Sequence, residues 1–429
     1  MTAKIQLKSD STGIFGGIFL VFSMFDSVGM SQLINNLLGP RRFNSKYSYS
    51  DVIMTLMATY LCGGTCIEDV QLFLGQLHQK LKKYKCCSPD VIFNVLKELS
   101  VESEIHQSAS GIEYQFNHTP ALTRLALESL VLCGQIDPQE PVTFDYDNQV
   151  VSNEKRDAKY TYKQCFGDFP GIAQINGMPF FMENRDGNAN VKFRQAETLA
   201  KAYAALEEMG IKVGQARMDC GSYAKEIIEM VAAHSERFYI RAAQCQTLRE
   251  RITEIADDAW EDAEINYNKC QLASIPFTSF FAERGYRLVV QRTLNEDRQL
   301  SLFEGRYTYR CILTNDHEMS NVDVVIFYNQ RGSTERCFDC MNNDFGWSHL
   351  PSSDMKANTV FMSLMIVIHN FYRYLTSQLE SKGFGLTKTS RVKKTILRFM
   401  AVPYKWVTSG KNLVLQLHTR NQAYLQLQL

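Results

Sequence analysis

Four carboxylates, Asp145, Asp147, Asp219 and Glu335, fall where the sequence pattern predicts the ends of sheet elements. Carboxylates brought together from separate segments can hold two divalent cations about 3.5–4 Å apart, and their hard oxygen donors suit Mg²⁺. Such a pair of ions activates water or a 3′-hydroxyl and stabilises the leaving oxygen of an in-line phosphodiester displacement. Each acid also has a bland reading, because an aspartate at a strand end often serves only as a turn residue or helix cap.

The elements that must position these acids can be traced along the chain. PVTFDYDNQVV, from Pro141, alternates as a strand, with Thr143, Asp145 and Asp147 on one face and Val142, Phe144 and Tyr146 on the other. GIAQING and MPFFMENRDGNAN read as further strands, closed by a Gly and Asn turn, and residues 194–209 as an amphipathic helix. IKVGQARMD reads as a short strand ending at Asp219, with a helix after it. In VDVVIFYNQRGSTERCFDC, residues 322–340, Val322 and Val324 to Tyr328 read as a mostly buried strand and Asn329 to Thr334 as a turn and helix start. A helix begun by Arg331 stacks Arg331, Glu335 and Asp339 on one face, either as a working site or as a surface ion pair of Arg331 with Glu335 beside a core tyrosine.

This succession of strands, crossover helix and strand defines an α/β fold with a mixed sheet. Three regions are expected: a largely helical stretch at 1–135, the α/β domain at 136–375, and a basic C-terminal region at 376–429. RFYIRAA, YRLVVQRT and GRYTYRCILTN make residues 238–315 a β-rich insertion within the second region. The helical stretch, with its basic run Lys80 to Lys85, is compatible with a helix-turn-helix-like DNA module and equally with an ordinary bundle.

A chain of 429 residues, 45% hydrophobic and 11% aromatic, is long and apolar enough for a folded protein with a sizeable core. Its formal net charge of zero does not advertise a nucleic-acid binder, but the charge is unevenly placed. From Ser381 to Leu429 there are nine Lys or Arg, among them Arg391, Lys393, Lys394 and Arg398, and no Asp or Glu. This tail suits a phosphate backbone, or is simply a solvated face. The stretch at 253–268 is acidic and restores the balance. Twelve cysteines without framework spacing read as reduced thiols in a cytoplasm, and Cys337-x-x-Cys340 lacks the second pair that a zinc site needs. The apolar run at residues 13–25 is too short to span a bilayer, so no membrane partner is expected.

TFDYD, ARMDCGSYAKEI and the Tyr328, Arg331, Glu335 spacing together resemble the DDE transposases of bacterial insertion sequences. They are similar in particular to the insertion sequence 1380 family, within the group marked by a tyrosine, arginine and glutamate at these intervals. The resemblance spans roughly residues 140–420 and includes NRDGNAN, YNQRGSTE, FGWSHLPSSDMKAN and RVKKTILRFMAVPYKWV.

It implies an RNase H-like core interrupted by the β-rich insertion, an α-helical N-terminal domain that helps bind transposon ends, and metal-dependent cut-and-paste transposition by a homodimer in the bacterial cytoplasm. Asp219 and Glu335 take the second and third acidic positions; the first falls on Asp145 or Asp147, with Asp145 favoured for its deeper place in the strand. Mg²⁺ is the implied cofactor, with Mn²⁺ able to substitute. Arg331 would face DNA phosphate through its planar fork with Tyr328 nearby. Trp260, in the insertion, would stack on a flipped base, although Glu261 and Asp262 beside it oppose close phosphate approach. Trp347 and Trp406 read as core or tail residues. Where the group often has a lysine seven residues after the glutamate, this chain has Asn342. A DNA-binding relative that does not cut, and an RNase H-like nuclease without strand transfer, are the alternatives.

Overall fold

The computed structural model describes residues 12–74, 84–294 and 307–427. Most of the basic run at 80–85 therefore lies outside the described residues. In the N-terminal region are α1 (Gly17–Ser27), α2 (Met30–Leu38), α3 (Tyr49–Leu61), α4 (Val70–Leu74) and α5 (Pro89–Glu98). A hairpin of β1 (Glu104–Gln107) and β2 (Glu113–His118) follows, then α6 (Pro120–Leu132). α3 starts where Ser48 and Asp51 form a capping box, satisfying two backbone N–H groups that helix geometry leaves orphaned. The hairpin is a feature that the helical reading of this region did not anticipate.

The centre of the chain begins with β3 (Val142–Asn148) and the short strands β4 (Val151–Ser152), β5 (Lys159–Tyr160) and β6 (Phe166–Asp168). Then come β7 (Gly171–Ile175), β8 (Met178–Arg185), α7 (Gln195–Glu208), β9 (Val213–Met218), α8 (Lys225–His234) and β10 (Arg237–Arg241). β7 and β8 join through Asn176 and Gly177, both at positive φ, as the favoured two-residue hairpin turn requires. The insertion supplies α9 (Gln246–Thr253), β11 (Glu261–Ile265), β12 (Asn268–Pro276), β13 (Arg287–Leu294) and β14 (Tyr307–Thr314). After it come α10 (Asn321–Asn329), α11 (Gly332–Asp344), α12 (Met355–Leu379), α13 (Val392–Thr395) and a hairpin of β15 (Tyr404–Ser409) and β16 (Asn412–Leu417).

Among the described residues, one mixed sheet of eleven strands has the order β1-β2-β8-β7-β3-β9-β10-β14-β13-β12-β11. β8, β7 and β3 are antiparallel neighbours, whereas β3, β9 and β10 are parallel, joined through α7 and α8. The insertion does not form a separate module: β14 pairs with β10, so its strands prolong the same sheet. Alternation along the strands divides the apolar residues between two faces. Phe144 stacks on Tyr203 of α7 on one face, where the large core cluster also takes in α12. On the other, Tyr239, Leu272, Val289 and Ile312 pack against Val324, Val325 and Tyr328 of α10.

α10 corrects the sequence reading, which made Val322 to Tyr328 a strand. The β-branched run is outweighed by a helix start: Ser320 accepts a hydrogen bond from the Asp323 N–H and donates to its carboxylate. Val324, Val325 and Tyr328 then lie together on the buried side at helical spacing.

The apolar run at 13–25 becomes α1, whose Phe19 packs edge-on against Tyr404 and Trp406 of the C-terminal hairpin. Among the described residues no single helix is long and apolar enough to cross a membrane, although α1 and α2 as a bent pair pass on length and composition. α1 is nonetheless largely buried within the protein. Trp347 is fully buried core. Cys337 and Cys340 point inward from α11 as free thiols, and burial raises the pKa of both.

Candidate active site

Asp145 and Asp147 lie two residues apart on β3 and share the face that meets α10, but their surroundings differ. Asp145 is fully buried, and its two oxygens accept hydrogen bonds from Nε and Nη2 of Arg217, its register partner on β9, each at 2.8 Å. Arg217 also donates from Nη1 to the Phe327 carbonyl at 2.8 Å and stacks over the Phe327 ring. Burial pushes the Asp145 carboxyl up, and Arg217 pulls it back. The bidentate pair is closed, with no face left for a ligand.

Asp147 lies at the end of β3. Tyr146 pairs in register with Met218, so the parallel alignment places Asp147 beside Asp219, one residue past the end of β9. Neighbouring strands are about 4.8 Å apart, so two carboxylates in this arrangement feel each other directly. Burial raises the Asp147 pKa, and the Asp219 charge raises it further, against the opposing pull of Arg331. Asp219 caps a 3-10 turn through the Gly221 N–H at 2.9 Å, which fixes one of its oxygens.

Arg331 comes from the junction of α10 and α11, and its Nη1 donates to Asp147 at 2.9 Å. Its guanidinium is three-quarters or more shielded; burial opposes its charge, yet Asp147, Tyr328 and Asp219 together raise its pKa. Tyr328, one turn earlier, donates its hydroxyl to the Met218 carbonyl at 3.2 Å, pinning α10 to the strand that delivers Asp219. Burial pushes the Tyr328 hydroxyl up to about 12. The three-residue interval from Tyr328 to Arg331 therefore serves both to dock a helix and to reach an acid.

Glu335 is exposed on the first turn of α11. Arg331 pairs with Asp147, and among the described residues it has no ion pair with Glu335. Asp339 is held instead by Arg391, which also pairs with Asp344, so the residue expected at the head of a DNA-binding tail ties that tail to α11. Lys393, Lys394 and Arg398 are exposed. Trp260 is buried: the Arg292 guanidinium lies 4.0 Å from its ring centroid, covering the face that a base would need. Asn342 is half-buried, and its carbonyl accepts from the Ser348 hydroxyl.

Among the described residues no three His, Cys, Asp or Glu side chains are gathered closely enough to hold a metal ion. The donor set at the strand ends still fits a hard cation. Asp147 and Asp219 are adjacent carboxylates whose repulsion is eased by Arg331 and by the Asn148 N–H, both on Asp147.

The chain belongs to the family Transposase DDE domain group 1, whose model matches residues 5–424. No curated protein matches it. Its membership makes this a transposition enzyme of a mobile element that acts on DNA.

Proposed function

We propose that the protein cuts DNA at the ends of its element and joins the freed 3′-hydroxyl to target DNA, in cut-and-paste fashion. Asp147, Asp219 and Glu335 are its metal-binding acids. The observation that carries this reading is the placement of Asp147 beside Asp219 at adjacent parallel strand ends, with Arg331 on Asp147 and Glu335 one turn beyond Arg331. Asp145, sealed by Arg217, is a structural residue in this reading. The order β8-β7-β3-β9-β10, with three antiparallel strands followed by two parallel ones, supports an RNase H-like core. The signature Tyr328, Arg331, Glu335 supports kinship with the insertion sequence 1380 family.

Bound divalent cations, Mg²⁺ or Mn²⁺, would lower the pKa of the attacking water or 3′-hydroxyl and neutralise the leaving oxygen. The chain's own residues prepare for that. Tyr328 fixes the α10–α11 junction on β9, and Arg331 neutralises Asp147 until a ligand competes for it. Its remaining guanidinium N–H groups are then available to a DNA phosphate. Lys393, Lys394 and Arg398 extend the positive surface, the N-terminal helices take part in binding the ends, and synapsis of two ends calls for a homodimer. The working site is the bacterial cytoplasm.

The test uses labelled linear fragments of the DNA flanking this reading frame, purified protein and Mg²⁺, with Glu335→Gln alongside. Discrete cuts at an inverted repeat that vanish with Glu335→Gln, a loss on the order of 10³-fold or about 4 kcal/mol, are expected. Binding without cutting by either protein would leave a DNA-binding relative. Cleavage without joined product would leave a nuclease.

A further inference from the structure

Directly after Asp147 the chain leaves the main sheet and folds β4, β6 and β5 into a small three-stranded sheet. Its inner side is clamped to the turn after β8. A Cβ on Gly187 would lie 2.2 Å from the Gly167 carbonyl oxygen, and one on Gly167 would lie 2.3 Å from that of Val151. Only glycine allows backbones to approach so closely, so the sheet is seated in one position. Thr161 turns inward and is buried.

The outer side is unusual. The exposed aromatic side chains among the described residues are Phe43, Tyr160, Tyr162, Phe166 and Tyr267, and three of these five lie within this sheet. Tyr160 and Phe166 are register partners with ring centroids 5.4 Å apart, and Tyr162 leans edge-on against Phe169 at 5.6 Å. Lys163, next to Tyr162, is exposed and, among the described residues, without an ion pair, its ammonium 6.0 Å from the Tyr162 ring centroid, whereas Lys159 alternates with Tyr160 to the face it shares with Thr161. The nearby Arg156 is paired with Asp157, and Asp168 is buried. β3 ends at Asn148, one residue past Asp147, and β4 starts at Val151, so the small sheet joins the main one beside that acid.

We propose that this outer face is a stacking surface for unpaired DNA, with Tyr160, Tyr162 and Phe166 receiving bases and Lys163 a phosphate, on the strand that leads to Asp147 and Asp219. Exposed aromatic rings beside an unpaired lysine match the two needs of a single strand, a π-face for each base and positive charge for its backbone. Each of the three rings is more than half exposed, unlike the buried Trp260. This inference rests on the reading of the acids as a DNA-cutting site.

The experiment measures binding of the full-length protein, without added metal, to a fluorescein-labelled oligothymidine and to a labelled blunt duplex by anisotropy. Tyr162→Ala is expected to weaken oligothymidine binding about tenfold and leave duplex binding within about twofold, with Tyr162→Phe restoring it. Tyr160→Ala with Phe166→Ala should lower single-strand affinity in the same selective way. Equal loss on both DNAs, or no loss on either, would overturn the proposal. Cleavage of the flanking DNA, scored separately on the wild-type protein, reports on the parent reading: a protein that cuts normally while Tyr162→Ala binds oligothymidine normally refutes the stacking face alone.

Discussion

Asp145 and Asp147 are two residues apart on one strand, face the same side, and each meets an arginine, yet they have become different kinds of residue. Arg217 is delivered by the neighbouring strand, grips both oxygens of Asp145 and disappears with it into the protein. Arg331 is delivered by a helix junction and touches one oxygen of Asp147, while the other takes only the N–H of the next residue, Asn148. Depth along a strand, which looked like a mark of importance in the sequence, is a mark of closure. A carboxylate that must exchange ligands belongs where the strand ends and water, metal or DNA can arrive.

The largest expected effect on stability comes from opening the closed pair. Asp145→Asn leaves the Arg217 charge buried without its counter-ion and should cost about 3–5 kcal/mol in urea unfolding. Asp147→Asn removes a single hydrogen bond to Arg331, which keeps Asp219 nearby, and should cost less, about 1–2 kcal/mol, while abolishing cleavage. Wild-type stability of Asp145→Asn would erase the distinction between the two acids.

A middle-sized effect should follow from removing the mobile partner. Arg331→Gln takes away the cation beside Asp147, at a cost of about 1–2 kcal/mol without metal. Because the guanidinium no longer competes, added Mg²⁺ should raise the Tm of the variant more than that of the wild type. Equal shifts in a thermal melt would show that Arg331 does not hold the place of a cation.

A last effect, spread across a range of pH, concerns an acid with no arginine at all. Asp168, at the base of the small sheet, is pushed up to about 7 by burial and by Asp186, against the pull of nearby amides. Its ordinary value is 3.8, so between there and about 7 the native state keeps a proton that the unfolded chain has released. Stability therefore falls as pH rises through that window and levels off above it. Asp168→Asn should flatten this slope in melts taken from pH 5 to pH 8, and an unchanged slope would assign it to other groups.

Much of this architecture was legible in the sequence. Alternation in PVTFDYD gave β3, GIAQING and MPFFMENRDGNAN gave the strands β7 and β8, and the apolar spacing of residues 194–209 gave α7 nearly to its ends. The order of the acids was visible too, since Asp219 follows a strand by pattern alone. What failed did so for definable reasons. Val324, Val325, Ile326 and Phe327 have strand propensity, and only the Ser320-x-x-Asp323 start signal argued for a helix. The preference for Asp147 over Asp145 is a proposal that rests on Arg217, whose register against β3 no single sequence reveals. Trp260 could not be known as covered until Arg292, from another strand, was in place. Tyr160, Tyr162 and Phe166 sat in plain view, and their closeness to Lys163 was the signal that could have singled them out.

The contact between Phe19 and the hairpin of Tyr404 and Trp406 has a consequence for how the protein is made. Gly13 and Tyr404 exchange backbone hydrogen bonds, so a helix synthesised early waits for nearly the whole of the catalytic region before its apolar side is covered. A chain interrupted before Pro403 leaves Phe19 without its partners and exposes greasy surface to chaperones and proteases. Quality control could thereby remove truncated copies before they meet DNA.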